Sequence, residues 1–200
     1  FDIDDLPLKI KGLEMVKSSV PRQAREGLKR MVRYLLEDTE EDYVTQRLNI
    51  KMQEEKKKYF EADLEDICAS MGINGYTKYI ADDADPNGLK VNPKCPVGPK
   101  ALGNYNWIRQ KYGLPGEPMY GGSKFKIYMF RPNGSNPRND IQYFAFQRGR
   151  YPKWADQYAP VSRDEMFRQY MIDPFNRILE AIGYQTLNPD GSIQMNLFDF

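Results

Sequence analysis

The chain has 200 residues, 40% of them hydrophobic and 13% aromatic, which is enough apolar material for a packed core and argues against global disorder. Histidine is absent and only two cysteines occur, which excludes a Ser-His-Asp triad, an HExxH metal site and a disulfide scaffold within this chain. No apolar run approaches the roughly 20 residues of a membrane helix, and the formal net charge is only +1.

The first predicted elements are a strand and a helix. Residues 8–15 begin with alternating apolar and polar side chains, which predicts a short, half-buried strand. Ser18 and Ser19 then offer an N-cap, with Pro21 in the first turn of a helix. Apolar residues at helical spacing predict the core face of that helix: Ala24, Leu28, Val32 and Leu35.

A second, highly charged helix is predicted next. Thr39 and Asp42 resemble a capping box, and the helix is expected to run to about Phe60. Its apolar positions form only a thin stripe, which predicts that most of its length faces solvent: Val44, Leu48, Met52 and Tyr59.

Glycine and proline punctuate the chain after Met71, which predicts a long irregular stretch before a helix from about Lys100 to Tyr112. Residues 124–130 and 141–147 alternate as strands, and turn-forming residues between them predict a hairpin.

The last part of the chain is predicted to be helical and then extended. Residues 162–165 form a capping box before a helix that Pro174 should kink or restart. Residues 188–192 are predicted to be a flexible linker, followed by an apolar tip.

Charge is strongly segregated along the chain. Residues 17–33 hold six basic residues against one acid, and residues 86–111 hold five basic residues and no acid. Between these blocks, residues 37–66 hold eleven acids against five basic residues. The basic blocks are either solvated helix faces or surfaces that bind a polyanion such as nucleic acid. In the first block, the cations form a stripe on one side of the helix: Arg22, Arg25, Lys29 and Arg33.

The second basic block mixes cations, amides and aromatic rings around a Pro/Gly-rich loop that enters a helix. Phosphates favour such a place because free backbone N–H groups add to the side-chain cations. The alternative is that the aromatic residues, Trp107 among them, simply pack the helix. The chain holds no phosphate-cradling glycine loop, and the Asp2-x-Asp4 dyad has no recognisable partner carboxylate, so we expect neither a catalytic residue nor a bound metal here.

Four ordered passages carry a resemblance to a known family. Residues 8–21 read LKIKGLEMVKSSVP, and residues 93–96 read PKCP with Lys100, Tyr105 and Asn106 at fixed distances. The strand 124–131 with its turn and second strand is the third passage, and the terminal Leu-Phe-Asp-Phe is the fourth. In this order they resemble family B DNA polymerases, most closely the replicative polymerases of T-even-type bacteriophages, whose version of the first passage reads much like LKIxGLExxKSSTP.

The resemblance implies a domain layout and a fold. Residues 1–16 would be the end of the palm, residues 17–187 the thumb, and residues 188–200 a linker with a sliding-clamp-binding tail. The implied fold is α+β, a mostly helical thumb with long helices, a small antiparallel hairpin and an extended C-terminal tail. At residues 66–74, where local propensity also permits a helix to about Ala69, the resemblance favours a strand and turn.

The resemblance also implies a function in viral DNA replication. The family's metal-binding aspartates, nucleotide-binding residues and proofreading exonuclease would lie upstream of Phe1, with Mg²⁺ in that upstream active site. This segment would therefore be a non-catalytic part of a DNA-directed DNA polymerase, a nucleotidyltransferase. A start at Phe1 rather than Met, without a signal-peptide pattern, agrees with a piece of a longer cytoplasmic protein with no membrane partner.

A thumb grips the primer–template duplex behind the active site, and phosphate contacts supply such a grip without reading sequence. The residues expected to contact DNA are cations, hydroxyls and amides: Lys9, Lys11, Lys17, Ser18, Ser19, Arg22, Asn74, Lys78, Lys94, Lys100, Tyr105 and Asn106. The expected clamp contacts lie in the tail, where Gln194, Leu197 and Phe200 have the spacing of clamp-binding peptides and Phe198 lies between them. The alternative is an autonomous or split-gene accessory subunit that binds DNA or a clamp and has no catalytic role.

Overall fold

The computed structural model describes residues 17, 19–37, 44–132 and 141–192. The elements in chain order are α1 (Arg22–Glu37), α2 (Val44–Glu61), α3 (Leu64–Ile67), β1 (Ala69–Ile73), α4 (Tyr76–Tyr79), β2 (Ile80–Asp82), β3 (Lys90–Val91), α5 (Val97–Lys111), β4 (Gly122–Phe130), β5 (Gln142–Gln147), α6 (Ala155–Tyr158), α7 (Arg163–Phe167), a π-helical turn (Arg168–Ile172) and α8 (Asp173–Ala181). The predicted α+β class is confirmed. No helix in the described ranges is long and apolar enough to cross a membrane.

The chain divides into two compact units where the resemblance implied one thumb domain. The first, the helical unit, comprises residues 1–67 and 164–200, and the second, the sheet unit, comprises Cys68–Arg163. The predicted strand at residues 8–15 and the cap at Thr39 lie outside the described residues, as does the tail from residue 193. Of the predicted hairpin turn at residues 132–137, all but Pro132 lie outside them as well.

The first two helices of the helical unit have the core faces that their periodicity predicts. In α1, Ala24, Leu28 and Met31 are fully buried, while Leu35 is half-buried near the helix end. In α2, all four apolar stripe residues are buried, and Tyr59 packs edge-on against Phe167 with ring centroids 5.5 Å apart. Burial of these faces supplies most of the stability of such amphipathic helices.

The predicted break at Pro174 is confirmed, and its form is a π-helical turn. Proline has no N–H and its ring clashes with the carbonyl four residues earlier, so a regular helix cannot pass through it. The chain widens into the π turn at Arg168–Ile172 and restarts as α8 with Pro174 in its first turn. This arrangement buries Met171, Ile172 and Phe175 together.

The predicted flexible linker at residues 188–192 is wrong. Backbone groups of Leu187 bond to the Asn176 side chain in both directions, and Ser192 bonds to the Asp190 carboxylate through both its N–H and its hydroxyl. Gly191 takes φ +87° and lies so close to α2 that a Cβ there would meet Met52 at 3.1 Å. The Pro-Asp-Gly sequence therefore forms a turn docked on α2.

The sheet unit is built around an antiparallel sheet of order β1-β4-β5. The predicted hairpin pairing is confirmed, with Phe125 opposite Gln147 and Phe130 opposite Gln142. The strand expected at residues 66–74 is β1, which pairs with β4, and the helix permitted there ends earlier as α3. The stretch expected to be irregular contains α4 and a two-stranded pair, β2 with β3.

Helix α5 is the central element of the sheet unit. It begins at Val97, three residues before the predicted start, and most of its residues are buried. Gly98 allows it to approach β1, since a Cβ there would lie 3.3 Å from Ile73, and the Asn104 amide donates to the Tyr143 carbonyl of β5 at 2.9 Å. A helix buried on several sides is a rigid base for the loops that leave it.

Candidate nucleic-acid interface

In the helical unit, the predicted phosphate ligand Arg22 is already paired. Its guanidinium makes two hydrogen bonds to the Asp66 carboxylate of the same unit, with Nε to Oδ1 at 3.1 Å. This hydrogen bonding raises the pKa of Arg22 above its usual value. A phosphate at this position would have to compete with a carboxylate, so Arg22 is a weaker candidate than its place in the sequence indicates.

A second cation of the first basic block, Arg30, is occupied by a buried acid. The Glu55 carboxylate is 2% exposed and receives two hydrogen bonds from Arg30, at 2.8 and 2.7 Å, and one from Lys58 at 2.9 Å. Gly27 faces this carboxylate, because a Cβ there would lie 3.0 Å from its Oε2. This triad joins α1 to α2 and has a structural role.

The sheet unit brings two predicted DNA ligands together at one end of the β2–β3 pair. The Asn92 N–H donates to the Tyr79 carbonyl at 2.8 Å, which joins the residue after Lys78 to the loop that holds Lys94. The Asn92 side chain accepts from the Lys94 N–H at 2.9 Å and so fixes the turn. Lys78 and Lys94 are exposed, as is the predicted ligand Asn74.

Lys100 follows this loop in the first turns of α5, where its N–H donates to the Pro96 carbonyl at 3.2 Å, and it is half-buried. Within the described ranges, Lys78, Lys94 and Lys100 have no carboxylate partner. The nearby acids are engaged elsewhere: Asp85 pairs with Lys90 at 2.6 Å, and Asp83 accepts from the Tyr76 hydroxyl. The three lysines define the surface that we call the lysine rim.

Two other predicted DNA ligands, Tyr105 and Asn106, lie in the interior of the sheet unit. Tyr105 is 6% exposed and its hydroxyl donates to the Glu117 carbonyl. Asn106 is 1% exposed, donates to the Met119 carbonyl at 2.7 Å and the Tyr76 hydroxyl at 3.2 Å, and accepts from the Met119 N–H at 2.9 Å. These side chains hold the loop 113–121 on α5, so their contribution to a surface is indirect.

Tyr76 belongs to the same buried network. Its burial, together with its hydrogen bond to the Asp83 carboxylate, raises its pKa far above the usual value, so the hydroxyl stays protonated and donates. The network thereby fixes α4, which carries Lys78, against α5.

The remaining predicted ligands are less informative. Lys17 and Ser19 precede α1 in the helical unit and are exposed, and Lys17 has interactions of its own. Lys9, Lys11 and Ser18 lie outside the described residues, as do the clamp-contact residues Gln194, Leu197, Phe198 and Phe200. Among the described residues, no group of three or more Cys, Asp and Glu side chains could hold a metal ion.

A cleft of the sheet unit was not anticipated from the sequence. It has a volume of about 510 Å³ and is lined by residues from α5, β3, α6 and the ends of β4 and β5. Its sequence signal is the group Trp107, Lys111 and Tyr112 at the C-terminal end of α5, but the fourth important side chain, Tyr158, is distant in sequence.

No protein-family model matches this chain, and no curated protein matches it significantly.

Proposed function

We propose that this chain is the thumb part of a family B DNA polymerase, which grips primer–template duplex through phosphate contacts and tethers to a sliding clamp during viral DNA replication. The proposal draws on the four ordered passages of resemblance and on the lysine rim. On this proposal the chain works in the cytoplasm of a host cell. It acts beside an upstream palm, fingers and exonuclease part, which would hold Mg²⁺.

The lysine rim is the observation that carries the DNA-binding part of the proposal. Two of its three cations, Lys94 and Lys100, lie in residues 86–111, which contain no acid. The hydrogen bond between Asn92 and Tyr79 keeps Lys78 and Lys94 at one end of the β2–β3 pair. A cluster of lysines without carboxylate partners attracts phosphates without reading base sequence. A sequence-independent grip is what a thumb requires.

Duplex binding by the full chain is expected to be independent of sequence and steeply dependent on salt. Replacing Lys78, Lys94 and Lys100 together by Gln removes about three phosphate contacts, so the slope of log K against log salt should flatten by about 2.7. The measurement is fluorescence anisotropy of a labelled duplex at several salt concentrations.

The matched control for this triple variant replaces three exposed lysines outside the lysine rim, Lys57, Lys124 and Lys153, by Gln. It changes the net charge equally, so a similar flattening would show that only overall charge matters and would contradict a role for the lysine rim.

The tail carries the clamp-binding part of the proposal. Gln194, Leu197 and Phe200 are spaced so that one helical turn presents Leu197 and Phe200 on one side, where they can fill an apolar pocket. Residues 188–192, which lead into this tail, are docked on α2.

Deleting residues 197–200 is expected to abolish binding to the cognate clamp, because an anchor of this type contributes roughly 2–4 kcal/mol. Thermal stability and duplex affinity should stay within error of the parent chain. Surface plasmon resonance on immobilised clamp and a thermal melt test this together. A deletion that unfolds the helical unit would place the tail in the core and contradict the proposal.

An accessory subunit with no polymerase parent is the second candidate. The two are separated by the reading frame upstream of Phe1, which either encodes a palm with paired catalytic aspartates or does not.

A further inference from the structure

The cleft of the sheet unit has the shape and size of a ligand site. Its volume of about 510 Å³ falls in the range of pockets that hold small organic groups. The side chains that matter come from α5 and the residue that follows it, β5 and α6: Lys100, Trp107, Lys111, Tyr112, Gln142 and Tyr158.

Aromatic rings form much of this cleft. Tyr112 and Tyr158 lie with ring centroids 4.6 Å apart, and Tyr112 is 49% exposed, which leaves ring surface for a further planar group. The indole N–H of Trp107 donates to the Asp85 carbonyl at 2.8 Å, which fixes the plane of that ring. Rigid, partly exposed rings are stacking platforms for flat ligands.

The charged side chains among the described lining residues of the cleft are lysines. Lys100 and Lys111 line it, and no aspartate or glutamate is among its described lining residues. The Lys111 ammonium lies 4.3 Å from the centroid of Trp107 and 5.4 Å from that of Tyr112. A cation on a flexible stem can leave these ring faces for an anion and so open them to a planar group.

An amide completes the arrangement. Gln142 accepts from Asn104 through its Oε1 at 3.4 Å, and its Nε2 has no partner among the described residues. An amide with a spare donor can pair with the edge of a nucleobase.

We propose that this cleft binds an unpaired nucleotide of a single-stranded nucleic acid. The base stacks on Tyr112 or Trp107, Gln142 contacts its edge, and Lys100 and Lys111 hold the adjoining phosphates. Stacked rings, cations and an amide together are the chemistry of single-strand recognition. This site differs from the proposed duplex binding, because phosphate contacts to a duplex require no exposed bases. The proposal does not depend on the resemblance to polymerases.

The test measures binding of a labelled twelve-nucleotide oligothymidylate to the full chain by fluorescence anisotropy. Tyr112→Ala should weaken binding by about 5- to 150-fold, because base–aromatic stacking is lost. Lys111→Gln should flatten the salt slope by about 0.7, the value for one phosphate of a single strand. Tyr120→Ala is the matched control, since this exposed tyrosine of the same unit lies outside the cleft and should leave affinity unchanged.

Intrinsic fluorescence gives a second readout. The chain has two tryptophans, so Trp154→Phe leaves Trp107 as the only one, and its emission should be quenched by the oligothymidylate. A blunt duplex of equal charge should quench it much less.

Two results would overturn the proposal. One is equal binding of the parent and Tyr112→Ala chains, with both still folded by circular dichroism. The other is displacement of the oligothymidylate by a short phosphotyrosine peptide at lower concentration than by unlabelled oligothymidylate, which would assign the cleft to a protein partner. The lysine-rim variant shares Lys100 with the cleft, but Tyr112 is no part of the lysine rim. The oligothymidylate affinity of Tyr112→Ala therefore tests the cleft alone, and the duplex affinity of Tyr112→Ala, expected to equal that of the parent chain, separates it from the duplex proposal.

Discussion

Glu55→Gln is expected to lower the free energy of unfolding by about 3 kcal/mol. The carboxylate is 2% exposed and receives hydrogen bonds from Arg30 and Lys58, so its loss leaves two cations without their partner. The effect falls at the lower end of the range for broken buried pairs because side chains of both cations still reach water.

Circular dichroism at 222 nm during urea unfolding measures this effect. Both tryptophans of the chain, Trp107 and Trp154, lie in the sheet unit, so their fluorescence reports that unit, while the dichroism follows the helices. Glu54→Gln is the matched control, since the neighbouring Glu54 pairs with Lys51 at the surface and should contribute less than about 0.5 kcal/mol. Equal midpoints for the two variants would mean that the triad adds nothing to stability.

The same carboxylate predicts a pH dependence. Burial disfavours the charged form, but the hydrogen bonds from Arg30 and Lys58 outweigh it and hold the pKa of Glu55 below its usual value. A lowered folded-state pKa means that this stabilisation is present above the unfolded value of about 4.3 and is lost as pH falls below it. The parent chain should therefore lose stability below about pH 4.3 more steeply than Glu55→Gln.

Periodicity in the sequence predicted the helix faces but missed this triad. The spacing of apolar residues predicts that most of α2 faces solvent and that its core stripe is Val44, Leu48, Met52 and Tyr59. Glu55 lies three residues after Met52 and four before Tyr59, which places it on the buried stripe itself. The burial of Glu55 could therefore be predicted from its position in the sequence, whereas its partner Arg30 on another helix could be identified only from the fold.

Local composition failed where distant contacts decide the structure. Residues 188–192 have the composition of a flexible linker, but Gln53 of α2 bonds to the Asp190 carbonyl and Gly191 packs against Met52. The hairpin of β4 and β5 was predictable because its partners are neighbours in sequence. The cations of the lysine rim could be identified from the sequence. Which cations have a carboxylate partner could not, because the pairing of Arg22 and the lack of a carboxylate partner at Lys94 within the described ranges depend on where the acids lie in the fold.

Asn106→Ala is expected to lower the free energy of unfolding by roughly 3 kcal/mol, although sequence reasoning placed this residue at the DNA surface. The substitution removes two hydrogen bonds to the Met119 backbone and one to the Tyr76 hydroxyl, in a site where Asn106 is 1% exposed. Each buried hydrogen-bonding group left without a partner costs about 1–3 kcal/mol. The loss of stability stays near roughly 3 kcal/mol because Met119 is partly exposed, so water can bond to its backbone groups.

Tryptophan fluorescence during urea unfolding tests this prediction, because both tryptophans belong to the unit that Asn106 holds together. Asn74→Ala is the matched control, since that amide is exposed and its removal should change stability by less than about 0.5 kcal/mol. Below the unfolding transition, Asn106→Ala should bind duplex with the salt slope of the parent chain, because no cation is removed. If the duplex affinity of Asn106→Ala fell while its unfolding midpoint stayed unchanged, Asn106 would contact DNA and would have no role in the buried network.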